Sequence, residues 1–236
     1  MSVTEPTPDL TEAAPERGVD VKVPDRLYRA LRATVRGINR AYWRVEVEGA
    51  AYVPESGPVI VAPVHRSFID FLVAAYVTRR KLYYMAKDDL WRSARFGRFL
   101  ESVGAFPVNR AGTDRLALER AQAVLERGDA LILFPEGTRR SGPVIEDLHE
   151  GAAFLSARTG APIVPVGIGG TGEAMPKGSK FVRPVKVNVV VGPPLEPPAR
   201  SERGRVPRHQ VHELTEQLQR ELQQLYDDAQ NRAGHR

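Results

Sequence analysis

Four short apolar runs, Val59–Val64, Leu82–Ala86, Ala130–Phe134 and Ile163–Ile168, punctuate the middle of the chain, with helix-period stretches between them. The runs are continuously apolar rather than alternating, which predicts strands covered on both faces. The intervening stretches read as helices at Phe68–Arg79, Asp88–Ser102, Thr113–Arg127 (closed by Gly128) and Glu150–Thr159 (closed by Gly160). Val103–Val108 and Val185–Val191 add two further extended segments, and Pro207–Asp228 a last amphipathic helix. Strands joined through helices need crossover connections. The expected fold is therefore α/β: one domain, with a largely parallel or mixed sheet covered by helices.

Composition matters chiefly for what it excludes. The 236 residues contain no cysteine, which removes disulfides, thiol nucleophiles and thiolate metal sites, and fits a reducing compartment. No apolar stretch approaches the ~20 residues of a spanning helix, and no signal peptide is visible. The net charge is +5, unevenly spread. Residues 1–20 sum to −4, leaving +9 on the rest and pointing to an anionic partner. Those first twenty residues, with Pro6, Pro8 and Pro15 and few large apolar groups, read as a disordered acidic tail.

Residues 21–48 are expected to carry a basic amphipathic helix. Arg26, Arg29, Arg32, Arg36, Arg40 and Arg44 recur every three or four residues and cluster on one side. Leu27, Leu31, Val35, Ile38 and Tyr42 cluster on the other. Such a helix either packs its apolar stripe on the core or lies in a lipid interface with arginines at anionic headgroups. The expected organisation continues with the α/β domain over 49–199 and a C-terminal helix over 200–236.

Three constellations could carry chemistry. In Pro63-Val-His65-Arg-Ser67-Phe-Ile-Asp70 a strand gives way to a helix. With Ser67 as N-cap, His65 lies in the preceding loop and Asp70 in the first turn, where its carboxylate can meet the imidazole. A carboxylate on Nδ1–H leaves Nε2 free as general base. Ser67-x-x-Asp70 is equally a capping box. Gly104-Ala-Phe-Pro-Val-Asn109-Arg110 places an arginine fork after a turn, suited to phosphate or to open solvent. Phe134-Pro-Glu136-Gly137-Thr138-Arg139-Arg140 follows an apolar strand, where parallel-sheet enzymes hold polar substrate groups. Gly167-Ile-Gly169-Gly-Thr-Gly172 satisfies G-x-G-x-x-G, but Met175-Pro176-Lys-Gly178 follows in place of a helix, which argues against a dinucleotide. No G-x-S-x-G elbow supplies a nucleophilic serine. His209 and His212 lack companions for a metal site, and no nucleic-acid motif supports reading the charge that way.

These blocks, followed by Ala161-Pro-Ile-Val-Pro165, stand in an order that resembles the glycerolipid acyltransferase family, typified by 1-acylglycerol-3-phosphate (lysophosphatidate) acyltransferases. The resemblance covers about residues 59–170. It implies transfer of a fatty acyl group from acyl-CoA or acyl carrier protein to lysophosphatidate, giving phosphatidate, with His65 as base and Asp70 orienting it. It implies an acceptor-head site from Arg110, Glu136 and Arg139, shaped by Asn109, Gly137 and Thr138, with Lys87 near the phosphate. It implies no cofactor beyond the thioester co-substrate, no metal, and a peripheral place on the cytoplasmic face of a membrane. Other acceptors, a different lysophospholipid or a glycolipid, stay open, as does an inactive lipid-binding homologue. Val64 stands where the family usually has Asn, and Arg140 intervenes before Ser141.

Overall fold

A computed structural model describes residues 25–108, 114–179, 181–199 and 206–234. The expected acidic tail at 1–20 lies outside them, as do Asn109 and Arg110. Seven strands form one sheet: β1 (Glu46–Glu48), β2 (Val59–Pro63), β3 (Leu82–Lys87), β4 (Ala105–Val108), β5 (Ala130–Ile132), β6 (Ile163–Gly169) and β7 (Asn188–Val191). Their order across the sheet is β1-β7-β6-β2-β5-β3-β4. From β6 to β4 all neighbours are parallel, whereas β7 runs antiparallel to β6 and carries β1 parallel to itself. The sheet is mixed, as the alternation of strands and helices implies. β2 is buried at every residue, and so is β6, which accounts for their unbroken apolar composition.

Among the described residues seven α-helices accompany the sheet: α1 (Asp25–Ala41), α2 (Asp70–Ala74), α3 (Ala94–Ser102), α4 (Arg115–Glu126), α5 (Gly151–Thr159), α6 (Thr171–Ala174) and α7 (Arg208–Ala233). Three depart from the sequence reading. The helix expected over 68–79 shrinks to α2, because the backbone beyond it is drawn to α1. There the Arg32 guanidinium takes the carbonyls of Thr78 and Arg80, and Asn39 Nδ2 donates to Leu72 O at 3.0 Å. The helix expected over 88–102 opens as a 3-10 turn and becomes α-helical only after Ser93, which caps it. The last helix runs on to Ala233 and ends at Gly234, whose φ of 82° suits a C-terminal glycine. Strand β1, with two glutamates in three residues, shows no apolar run and is an edge strand.

The glycine motif after β6 now has a physical reason. A Cβ at Gly167 would stand 2.2 Å from Leu225 O, and one at Gly169 would stand 2.3 Å from the Ala229 backbone. The two glycines let α7 press its backbone onto β6, burying Leu218, Leu222 and Tyr226. Helix α1 docks along the seam between its apolar and basic stripes. Tyr28, Arg32, Val35 and Arg36 are half-buried and Asn39 fully buried. Arg26, Arg29 and Arg40 on one flank, and Ile38 and Tyr42 on the other, remain exposed. Arg32 and Arg36 therefore face the domain, Arg36 lying over the Tyr76 ring at 4.8 Å.

Candidate active site

Register brings the first and third blocks together. β2 and β5 are parallel neighbours with Val61 opposite Ile132. His65 and Glu136 each lie four residues beyond that pair, at the carboxyl edge of the sheet. This edge is where open parallel sheets form their crevices.

His65 sits in the loop before α2, as expected, and its Nδ1 lies 3.0 Å from Asp70 Oδ2. Asp70 is wholly buried. The same Oδ2 accepts the backbone N–H of Arg66 at 2.7 Å and of Ser67 at 2.6 Å. A carboxylate gripped by two amides cannot swing, so it fixes the ring it holds. The capping box is half realised. Asp70 reaches back to the Ser67 amide, but the Ser67 hydroxyl donates to Met175 O at 2.8 Å. The imidazole stacks on Phe134 with ring centroids 4.2 Å apart. Nε2 makes no hydrogen bond among the described residues, and the ring is about one-tenth exposed. A tautomer with its proton on Nδ1 thus presents an Nε2 lone pair at the surface of the crevice.

Glu136 is also buried, and both of its oxygens are taken. Oε1 accepts the His65 amide at 2.7 Å, and Oε2 pairs with the Arg66 guanidinium. Arg66 in turn donates to Val144 O at 3.1 Å and lies over the Tyr226 ring of α7 at 5.0 Å. Burial pushes the Tyr226 hydroxyl above its ordinary value, with Arg66 opposing the shift. The amides of residues 65, 66 and 67 are consequently all spent on carboxylates, and none is free for a developing oxyanion. The Arg140 amide closes the turn on His65 O at 2.9 Å.

The remaining expected residues are placed as follows. Gly137 has φ of 67° and lies under the His149 ring, 2.6 Å from where a Cβ would be. The Thr138 amide donates to Glu136 O at 2.7 Å, completing a tight turn. Arg139 is half-buried and makes no ion pair or hydrogen bond among the described residues. Lys87 ends β3 at the same sheet edge, two strands from β2, with its ammonium paired to Asp89. Asn109 and Arg110 lie outside the described residues; Val108 before them pairs with Lys87 at that edge. Val64 is fully buried, and Arg140 pairs with Glu146 at 3.0 Å. Arg66, Phe134 and Tyr226 were not anticipated. Arg66, a charge beside the histidine after an apolar strand, and Phe134, at the head of the third block, stand inside the sequence motifs, whereas Tyr226 leaves no signal in the sequence.

Comparison with known proteins follows the same outline. The profile of the family described as Acyltransferase matches residues 44–169. A 1-acyl-sn-glycerol-3-phosphate acyltransferase of Bacillus subtilis is 27% identical over 152 residues, 64% of this chain and 73% of that protein. A chloroplastic 1-acyl-sn-glycerol-3-phosphate acyltransferase of Arabidopsis thaliana is 26% identical over 158 residues, which cover 65% of this chain but only 44% of the plant protein. The crystal structure of a 1-acyl-sn-glycerophosphate acyltransferase from Thermotoga maritima superposes with a TM-score of 0.65 at 23% identity, covering 85% of this chain and 82% of that one.

Proposed function

The chain belongs to the Acyltransferase family, and from that premise we propose that it acylates the free hydroxyl of lysophosphatidate, using acyl-CoA or acyl carrier protein thioester and forming phosphatidate. The observation that carries the reaction type is the His65–Asp70 pair at 3.0 Å, with Nε2 unbonded. The names of the related proteins support the acceptor.

In this reading Asp70 keeps the imidazole proton on Nδ1. Nε2 takes the proton of the acceptor hydroxyl as its oxygen attacks the thioester carbonyl. The carbon–oxygen bond forms, the carbon–sulfur bond breaks, and the departing thiolate takes the proton back from the imidazolium. Such general-base help is worth about 10²–10⁴-fold. The thioester is already activated, so no covalent enzyme intermediate is needed. Arg139, unpaired and half-buried beside the site, is the described cation best placed to meet a phosphate; Arg110 and Lys87 share the role. Glu136 does not reach the acceptor in this reading. Its carboxylate is spent on the His65 amide and Arg66, and it holds the catalytic loop.

The acceptor lives in a bilayer, and no described helix is long and apolar enough to cross one. In this reading the exposed arginines and apolar flank of α1 serve a peripheral attachment, on the cytoplasmic face. Purified protein given acyl-CoA and lysophosphatidate should release free thiol, and His65→Ala should lower that rate by about 10²–10⁴-fold. Full activity in His65→Ala would sink the mechanism. Turnover of other lysolipids alone would replace the acceptor and leave the reaction standing.

A further inference from the structure

We propose that the described part of the loop between α6 and β7, residues 176–179 and 181–186, is a second membrane contact, which seats Phe181 in the interface of an anionic bilayer beside the end of α1. The inference rests on the peripheral membrane reading above.

Phe181 is 83% exposed, the most exposed large hydrophobic side chain among the described residues, and its neighbour Val182 is 38% exposed. The exposure is built in. Ser179 Oγ accepts the Phe181 amide and donates to the Phe181 carbonyl, both at 3.0 Å, which ties down the backbone and leaves the ring outside. The tip is joined to α1, since the Tyr42 hydroxyl donates to Val182 O at 2.8 Å. Ile38, on the exposed apolar flank of α1, and Tyr42, just beyond its end, thereby share a surface with the loop.

The loop's own charges have one sign. Lys177 and Arg183 are exposed in the loop, and no Asp or Glu occurs between 174 and 187. Lys186, near its far end, is paired with Glu46. An aromatic tip amid unopposed cations matches a layer with an apolar interior and anionic headgroups. A docking site for an acidic protein needs the cations but gives Phe181 nothing specific to enter.

The loop is also rooted at the catalytic block. Ser67 Oγ donates to Met175 O, and the Arg183 amide donates to Ala174 O at 2.8 Å. Phe181 therefore hangs from a stem that touches the residue two places beyond His65. Lipid engaged by this tip meets the mouth of the crevice, and α1 alone does not provide that orientation.

Phe181→Trp and Phe181→Ser test the proposal with vesicles of phosphatidylcholine, with and without phosphatidylglycerol. The added tryptophan, measured against the parent's Trp43 and Trp91, should shift to the blue on anionic vesicles and be quenched by lipid brominated along its chains. Phe181→Ser should bind those vesicles severalfold more weakly and turn over bilayer-embedded acceptor severalfold more slowly, yet match the parent on a short-chain acceptor dissolved as monomers. An unshifted, unquenched tryptophan overturns the proposal, as does unchanged vesicle sedimentation of Phe181→Ser. A raised KM for a carrier-protein donor with intact vesicle binding overturns it too, making the loop a protein dock. Insertion of the tryptophan in a protein that acylates none of the lysolipids offered would uphold the loop while the proposed reaction fails.

Discussion

One oxygen atom, Asp70 Oδ2, takes the His65 Nδ1 contact and two backbone amides. An asparagine in its place can keep the amides satisfied by its carbonyl, but it then holds the imidazole without a charge. Asp70→Asn should therefore fold normally and lose kcat by about 10²–10⁴-fold, with KM for acceptor nearly constant. A parallel loss in KM would mean that Asp70 touches substrate. Glu136 and Arg66 form a different kind of unit, a buried ion pair. Removing one partner strands the other, so Glu136→Ala should cost about 3–5 kcal/mol in denaturant unfolding. Arg66→Met combined with Glu136→Ala should recover part of that loss; strictly additive losses would refute the coupling. Sequence reading reached His65 and Asp70 because five residues and one turn decide whether they meet. It expected Glu136 at the substrate and did not foresee that both of its oxygens are engaged by His65 and Arg66, because the His65 amide lies 71 residues away. Only the β2–β5 register brings those two together.

Among the elements, the glycines of β6 decide how close a helix can come. Ala at Gly167 would put a methyl carbon 2.2 Å from the Leu225 carbonyl, so α7 must lift. Gly167→Ala should destabilise by about 1–3 kcal/mol, visible as a drop of several degrees in Tm. An unchanged Tm would show that α7 has slack. The same spacing mimics a phosphate loop; contrary to the sequence expectation a helix does follow, but α6 has only four residues, and Gly167 and Gly169 are spent on the close seat of α7. Strands β2, β5 and β6 were legible because both faces are buried, which forces an apolar run. β1 was not legible, since an edge strand of three residues needs no such run. α2 was overread, because nothing local announces that side chains of α1 take the carbonyls that would extend it.

For the molecule as a whole, alkaline pH is the condition to probe. Tyr226 is 5% exposed, and burial raises its pKa. The folded chain therefore keeps a proton that the unfolded chain releases from about pH 10. Stability from this group is complete below that pH and falls as pH climbs toward the folded value. Denaturation midpoints should decline above about pH 10, and Tyr226→Phe should flatten part of the decline. An identical slope in the variant would assign it to other groups. The global picture, a mixed sheet with its working edge at the strand carboxyl ends, was the most legible part, since it follows from the order of periods alone. The docking of α1 was the least legible, because its contact face lies between the two stripes that define its amphipathicity.

The close seat of α7 on β6 also sets a timetable. A ribosome delivers the chain from its N-terminal side at about 5–20 residues per second, so every strand, and the histidine loop with them, emerges before residues 208–233 do. Until that helix arrives, the face of β6 that α7 covers is bare, and Arg66 lacks the Tyr226 ring it lies over. The histidine loop thus gains the Arg66–Tyr226 contact only late in synthesis, and a chain stalled short of α7 leaves the face of β6 that α7 covers bare.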